Sequence, residues 1–221
     1  MNFDQARFNM IEHQLRPWEV LDQEVLDLLY VVPREGFVPS ASKKLAFSDI
    51  EVPIESGSNA GERMWAPKIE ARALQALGVR KSDRVLEVGT GSGYLTALLA
   101  HRAAHVYSVE IKPKLAEVAR ANLARHGAEN VTLEIGDGAR GYGRWAPYDV
   151  IVLTGSVPVM PQSVLEQLAP GGRAFAVVGD APVMSARLFT CTAPGVIAQA
   201  GLFETLLAPL ENAEQPARFA F

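Results

Sequence analysis

The chain has 221 residues, 48% of them hydrophobic and 21% charged, and a formal net charge of −4 at pH 7. That balance excludes a disordered chain, a fibrous repeat and a coiled coil, and its sign argues against a general nucleic-acid groove, which needs a basic surface. The lone Cys191 allows no internal disulfide, no apolar run reaches the about 18 residues of a membrane span, and the N-terminal MNFDQARFNMIEHQLRP lacks an apolar core of signal-peptide length, so a cytoplasmic protein with no membrane partner is expected.

In chain order, residues 1–77 read as helices broken by loops. Val20, Val25, Leu28 and Leu29 fall near helical spacing after Pro17, a residue suited to an early helical turn. Residues 33–61 carry Pro33, Gly36, Pro39, Pro53, Gly57 and Gly61, which predicts an irregular excursion. A helix follows over residues 67–77. Strands are then predicted at 84–88, 105–109, 131–135, 148–153 and 173–178. Helices are predicted at 94–102, 113–126 and 161–168, and Leu115, Val118, Ala119 and Leu123 mark the apolar face of the second of these. YDVIVL is nearly all apolar, as a strand covered on both faces should be. Such alternation predicts an α/β doubly wound, mostly parallel sheet. Two β-rich runs, 185–192 and 196–207, have no helix between them and predict an antiparallel hairpin at the C-terminal edge. We expect a single domain: residues 1–80 a helical elaboration, residues 81–221 the ligand-binding sheet.

The strongest motif is Leu86-Glu87-Val88-Gly89-Thr90-Gly91-Ser92-Gly93-Tyr94 at the first strand-to-helix turn. In such a sheet, ligands bind at the carboxyl ends of the strands, and glycines let the backbone come close. The spacing is G-x-G-x-G, not the G-x-G-x-x-G of a phosphate cradle, and Glu87 stands two residues before Gly89, where its charge repels a pyrophosphate. S-adenosylmethionine suits it: a sulfonium, an amino group, ribose hydroxyls and no phosphate. Glu110, 21 residues after Gly89, ends the next strand and is placed to accept from both ribose hydroxyls, with Ile111 beside it. Asp137, with Gly138, follows the third strand and is placed to accept from the adenine amine. Each acid alone reads equally as a turn residue, and the loop alone as a plain strand–helix turn; their joint placement carries the assignment.

With these residues in view, the chain resembles the class I S-adenosylmethionine-dependent methyltransferases, which are Rossmann-like, and more narrowly the protein-L-isoaspartate O-methyltransferase family. MIEHQLRP, VLDLLYVVPREGFVP, VLEVGTGSGYLTALLA, GDGARGY, APYDVIVL and QLAPGGR occur in the family's order, and Leu207-Ala208-Pro209-Leu210 continues the match. The resemblance implies methylation of the misplaced carboxylate of L-isoaspartyl residues in damaged proteins, with a protein or peptide as partner.

The acceptor side departs from the family. Where the family reads threonine-isoleucine-serine-alanine-proline, this chain has Arg63-Met64-Trp65-Ala66-Pro67. Glu70 replaces a family histidine, the loop over residues 55–62 is longer, and Thr154-Gly155-Ser156-Val157-Pro158 replaces an alanine-rich stretch. Arg63 has the chemistry to clamp an acceptor carboxylate bidentately, or it is an idle loop arginine. Trp65 either covers the methyl donor or stacks on a planar acceptor, or it fills space in an ordered loop. Other acceptors, small molecules included, and a silent donor-binding protein are the alternatives; a nicotinamide dehydrogenase is disfavoured by the glycine spacing and Glu87. A carboxylate acceptor needs no general base, which fits the absence of a His-Asp or Cys-His set. His13 is expected to be structural, and His101, His105 and His126 to be surface groups. No spacing suggests a metal, and Cys191 is expected to pack. The loop over residues 53–67 is a lid candidate.

Overall fold

The computed structural model describes residues 2–55 and 61–216. Gly57 and the middle of the lengthened loop, and with them its reading as a lid, lie outside the described residues.

The chain opens with α1 (Phe3–Met10), whose Asn2 side chain caps the Gln5 N–H. A π turn (Ile11–Leu15) and a 3-10 turn (Arg16–Trp18) follow, and Glu19 closes them in the left-handed region at φ 60°. Next comes α2 (Gln23–Val31), capped by Asp22, which accepts from the N–H groups of Glu24 and Val25. Pro17 therefore belongs to the 3-10 turn and not to the first turn of α2, as its position had suggested. Asp22 starts the helix because its carboxylate satisfies the free first-turn donors.

Two short strands, β1 (Val52–Pro53) and β2 (Arg63–Met64), pair antiparallel. They lead to α3 (Pro67–Leu77), started by Pro67 and stopped by Gly78 at φ 50°. The α/β body then runs β3 (Arg84–Val88), α4 (Tyr94–Arg102), β4 (His105–Glu110), α5 (Pro113–Arg125), β5 (Val131–Ile135), β6 (Tyr148–Leu153), α6 (Gln162–Leu165), β7 (Leu168–Asp180), β8 (Val183–Ala193) and β9 (Val196–Glu204).

The main sheet has the order β5-β4-β3-β6-β7-β8-β9. Strands β3 to β7 are parallel, and β8 and β9 form the antiparallel edge. The chain leaves β3 toward β4 on one side and returns as β6 on the other. A crevice therefore opens at the carboxyl ends of β3 and β6, where ligands bind in such sheets. One apolar layer joins Val85, Val150 and Phe175 of the sheet to Leu26, Trp65, Ile69 and Leu74, so the N-terminal third packs onto one sheet face. Leu86, Ile151 and Ala174 face the second layer.

Several expectations are corrected. The helix expected over 161–168 is the four-residue α6, because Leu168 is taken into β7 opposite Tyr148. Pro170-Gly171-Gly172 is accordingly an irregularity inside a longer strand, with the register shifting between Tyr148 and Val150. His13 is exposed rather than structural, and His126 is no free surface group: its ring stacks on Phe37 with centroids 4.6 Å apart. Cys191 is buried and packs in the second layer. Among the described residues, no helix is long and apolar enough to cross a membrane.

Candidate active site

A cavity occupies the crevice at the ends of β3 and β6, and the glycine loop forms its floor. Gly89 turns the chain at φ 95°, and its N–H donates to the Val109 carbonyl at 2.8 Å. A Cβ there would lie 2.1 Å from the Thr154 hydroxyl oxygen, so only glycine admits this approach. The Thr154 hydroxyl instead lies 2.9 Å from the Val88 carbonyl and 2.7 Å from that of Gly89, tying the end of β6 to the loop.

Glu110 ends β4 with both carboxylate oxygens fixed by backbone. Gly91 N–H donates to Oε2 at 2.9 Å and Lys112 N–H to Oε1 at 3.0 Å. Its remaining lone pairs and Ile111 line the cavity. Glu87 in β3 is fully buried. Its Oε2 accepts from the Ser108 hydroxyl at 2.6 Å and the Thr96 hydroxyl at 2.5 Å, while Oε1 has no partner. Burial pushes its carboxyl up to about 8; the hydroxyls of Ser108 and Thr96 oppose the rise, and the Glu110 charge adds to it. The loop hydroxyls are committed inward, Thr90 with Ser108 at 2.6 Å and Ser92 donating to the Met64 sulfur at 3.1 Å.

The facing wall comes from the N-terminal third. Trp65 is buried, and its indole N–H donates to the Thr154 carbonyl at 2.8 Å. Arg63 is half-buried, 3.7 Å from the Glu51 carboxylate, whose pKa is raised by burial and lowered in part by Arg63. Glu70 sits in the first turn of α3 and receives a hydrogen bond from Arg34. Burial outweighs the Arg34 charge and brings Glu70 to about 7.

The roof is the C-terminal tail. Ser156 and the tail exchange backbone hydrogen bonds at 2.9 Å, from Leu210 N–H to the Ser156 carbonyl and from Ser156 N–H to that of Ala208. A Cβ on Gly155 would meet Leu210 N at 2.8 Å, so this glycine lets the tail close down. Lys112 joins roof to wall, 2.8 Å from Glu62 and 2.7 Å from Glu211.

The cavity thus gathers Arg63, Trp65, Glu87, Gly89, Thr90, Gly91, Ser92, Glu110 and Ile111 of the residues singled out in the sequence. It does not take in Gly93, Asp137 or Gly138. Gly93 turns toward α5, where a Cβ would meet Leu123 at 3.2 Å, and Gly138 packs on Val88. Asp137 is exposed at the rim: Ala139 N–H donates to Oδ1 at 2.9 Å and the Asn212 amide to Oδ2 at 2.8 Å. The sequence did not point to Glu51, Lys112 or Leu207–Glu211 as part of the site, and Thr154 entered only through the acceptor-side stretch that departs from the family. Glu70 had one signal, its departure from the family histidine. Among the described residues, no His, Cys, Asp or Glu cluster has the makings of a metal centre.

The family model described as Protein-L-isoaspartate(D-aspartate) O-methyltransferase matches residues 6–215. The chain is 44% identical over 173 residues to a protein-L-isoaspartate O-methyltransferase of Methanoculleus marisnigri, covering 78% of this chain and 77% of that protein. It is 36% identical over 219 residues to one from Hyperthermus butylicus, covering 94% and 89%. A solved protein-L-isoaspartate O-methyltransferase superposes with a TM-score of 0.78 at 27% identity, over 93% of this chain and 65% of that one. A putative Plasmodium falciparum homologue, solved with S-adenosyl-L-homocysteine, also reaches 0.78, over 96% and 99%; at 19% identity it speaks for the fold alone.

Proposed function

Since this chain belongs to the protein-L-isoaspartate O-methyltransferase family and is an S-adenosylmethionine-dependent methyltransferase, we propose that its acceptor is the α-carboxylate of L-isoaspartyl residues in damaged peptides and proteins. Repair of such proteins is the role that follows.

The donor fits the residues that line the floor. A buried, unpartnered carboxylate oxygen on Glu87 asks for a cation, and the donor's ammonium is one. Glu110, held by two backbone N–H groups, presents fixed acceptors for the ribose hydroxyls. Asp137 follows β5, whose Ile135 pairs with Glu110, so it stands one strand away and takes the adenine amine once Asn212 yields Oδ2. No lysine or arginine stands in the glycine loop to receive a phosphate. When bound, the donor supplies an electrophilic methyl group on its sulfonium.

The protein's part is then to position and to exclude water. A carboxylate, with a reference pKa of about 4, is already ionised at neutral pH and needs no base. Trp65 closes the apolar side of the cavity and Leu207 lines it from the roof. Arg63 turns from its loose contact with Glu51 to the incoming carboxylate, which it can hold bidentately.

One observation carries the reading. The Trp65 indole bonds the Thr154 carbonyl while the Thr154 hydroxyl reaches the Gly89 carbonyl. The acceptor wall and donor floor therefore share one hydrogen-bonded frame, as in-line transfer between two bound groups requires. The test is transfer of labelled methyl from the donor to an isoaspartyl peptide beside its normal aspartyl twin. Base-labile label on the isoaspartyl peptide alone is expected. Absence of label, with donor binding intact by calorimetry, overturns the acceptor assignment.

A further inference from the structure

Glu70 is a buried carboxylate in the cavity wall for which the reaction described above has no use. It is 2% exposed, and Arg34, its one cationic hydrogen-bond partner among the described residues, is 1% exposed. Arg34 binds Oε2 through Nη1. Its other nitrogens are spent on main chain, Nε on the Ala46 carbonyl at 2.8 Å and Nη2 on that of Trp65 at 2.5 Å. Glu70 lines the cavity, and among the described residues no hydrogen bond engages its Oε1.

Among the described residues, no second cation is hydrogen-bonded to Glu70. From α4, Tyr94 lies under the Arg34 guanidinium at 5.0 Å. Beyond Tyr94, Arg7 of α1 is paired with Glu35 at 2.7 Å. On β2 and beside β1, Arg63 is paired with Glu51, and across the cavity stand Glu87 and Glu110. An ionised Glu70 beside an acceptor carboxylate would place two like charges side by side at a buried position.

Resting on the acceptor reading above, we infer that Glu70 recognises the acceptor as a neutral acid, donating a hydrogen bond from Oε1 to the carboxylate oxygen that is not methylated. Two carboxyl groups that meet in a buried site share one proton rather than carry two charges. Burial already brings Glu70 to about 7 before any acceptor arrives. The residue that replaces the family histidine thus makes this chain's acceptor binding depend on a proton. Arg34 keeps the acid aimed, since the same guanidinium holds both Glu70 and the Trp65 main chain.

The test is the pH profile of methyl transfer to an isoaspartyl peptide at saturating donor, for the wild type and Glu70→Gln. The glutamine keeps an oxygen for Arg34 and an N–H₂ for the acceptor, and does not titrate. Wild-type kcat/KM is expected to fall roughly twentyfold from pH 7.5 to 9, the loss of protonated fraction for a group titrating near 7, through KM with kcat held. Glu70→Gln is expected to stay flat. Parallel decline in both proteins overturns the Glu70 inference and leaves the acceptor assignment standing. Absence of transfer at every pH overturns both. A second measurement needs no variant: isoaspartyl peptide binding to the wild type loaded with S-adenosyl-homocysteine, by calorimetry at pH 8 in two buffers of different ionisation enthalpy. Uptake approaching one proton is expected, and no uptake overturns the inference.

Discussion

Replacing Glu87 with glutamine separates what this carboxyl does for the fold from what it does for the donor. Its rise from 4.5 to about 8 corresponds to about 5 kcal/mol at 1.36 kcal/mol per unit, an upper bound on the strain of keeping it charged and unpaired. Between those two values the folded protein holds a proton that the unfolded chain has released. Stability without donor therefore falls as pH rises from 4.5 to about 8 and then levels off. Glu87→Gln removes that loss and can still accept from Ser108 and Thr96. At pH 8–9 the donor-free variant should melt several degrees above the wild type, since for a domain of this size each 1 kcal/mol is worth about 2–4 °C. Donor binding should move the other way. The ammonium beside Oε1 favours the charged form, so wild-type binding expels a proton and tightens with pH by up to about tenfold per unit. It should peak near pH 8, where the donor's own amine begins to lose its proton (about 7.7–8.0 for an α-amino group). The variant should bind weakly, without that rise. Thermal melts from pH 6 to 9 and calorimetry in two buffers read both effects. A variant that melts below the wild type at pH 9, or wild-type affinity that is flat from pH 6 to 8, refutes the reasoning.

Glu110→Ala removes both fixed acceptors at the proposed ribose position and should weaken donor binding at least tenfold by calorimetry, with the isoaspartyl KM little changed at saturating donor. Arg63→Ala should raise the acceptor KM roughly tenfold and leave donor affinity unchanged; an unaltered KM would show that Arg63 stays with Glu51 throughout. Trp65→Phe keeps most of the ring but leaves the Thr154 carbonyl without its donor. It should cost about 1–2 kcal/mol in chemical denaturation and lower kcat/KM for the acceptor.

The parts of the fold legible in the sequence were those whose signal is local. The strand Arg84–Val88, the helix Pro67–Leu77 and YDVIVL carry their periodicity or apolar run within a few residues, and each formed where expected. The helix over 161–168 was misread because Leu168 responds to Tyr148, a partner twenty residues away that no window reveals. Pro17 misled for the converse reason: the start of α2 is decided by Asp22, further along the chain. In the site, Glu87 and Glu110 could be read because the glycine spacing fixes where a strand ends and what stands beside it. Asp137, expected to accept from the adenine amine, lies outside the cavity lining and receives a hydrogen bond from Asn212 of the tail, a contact that no local pattern announces. Glu51, Glu70 and the roof come from segments far apart in the chain, joined only by tertiary packing.

The roof has a consequence for shortened forms of the protein. Every strand of the main sheet is complete by Glu204, but the cavity is closed by Leu207–Glu211, and Glu211 supplies one of the two carboxylates that hold Lys112. A chain ending at Glu204 could pair all its strands and still leave the donor crevice open on one side. The sheet and the closed crevice are therefore separable: the strands need only the chain to Glu204, the roof needs Leu207–Glu211 as well.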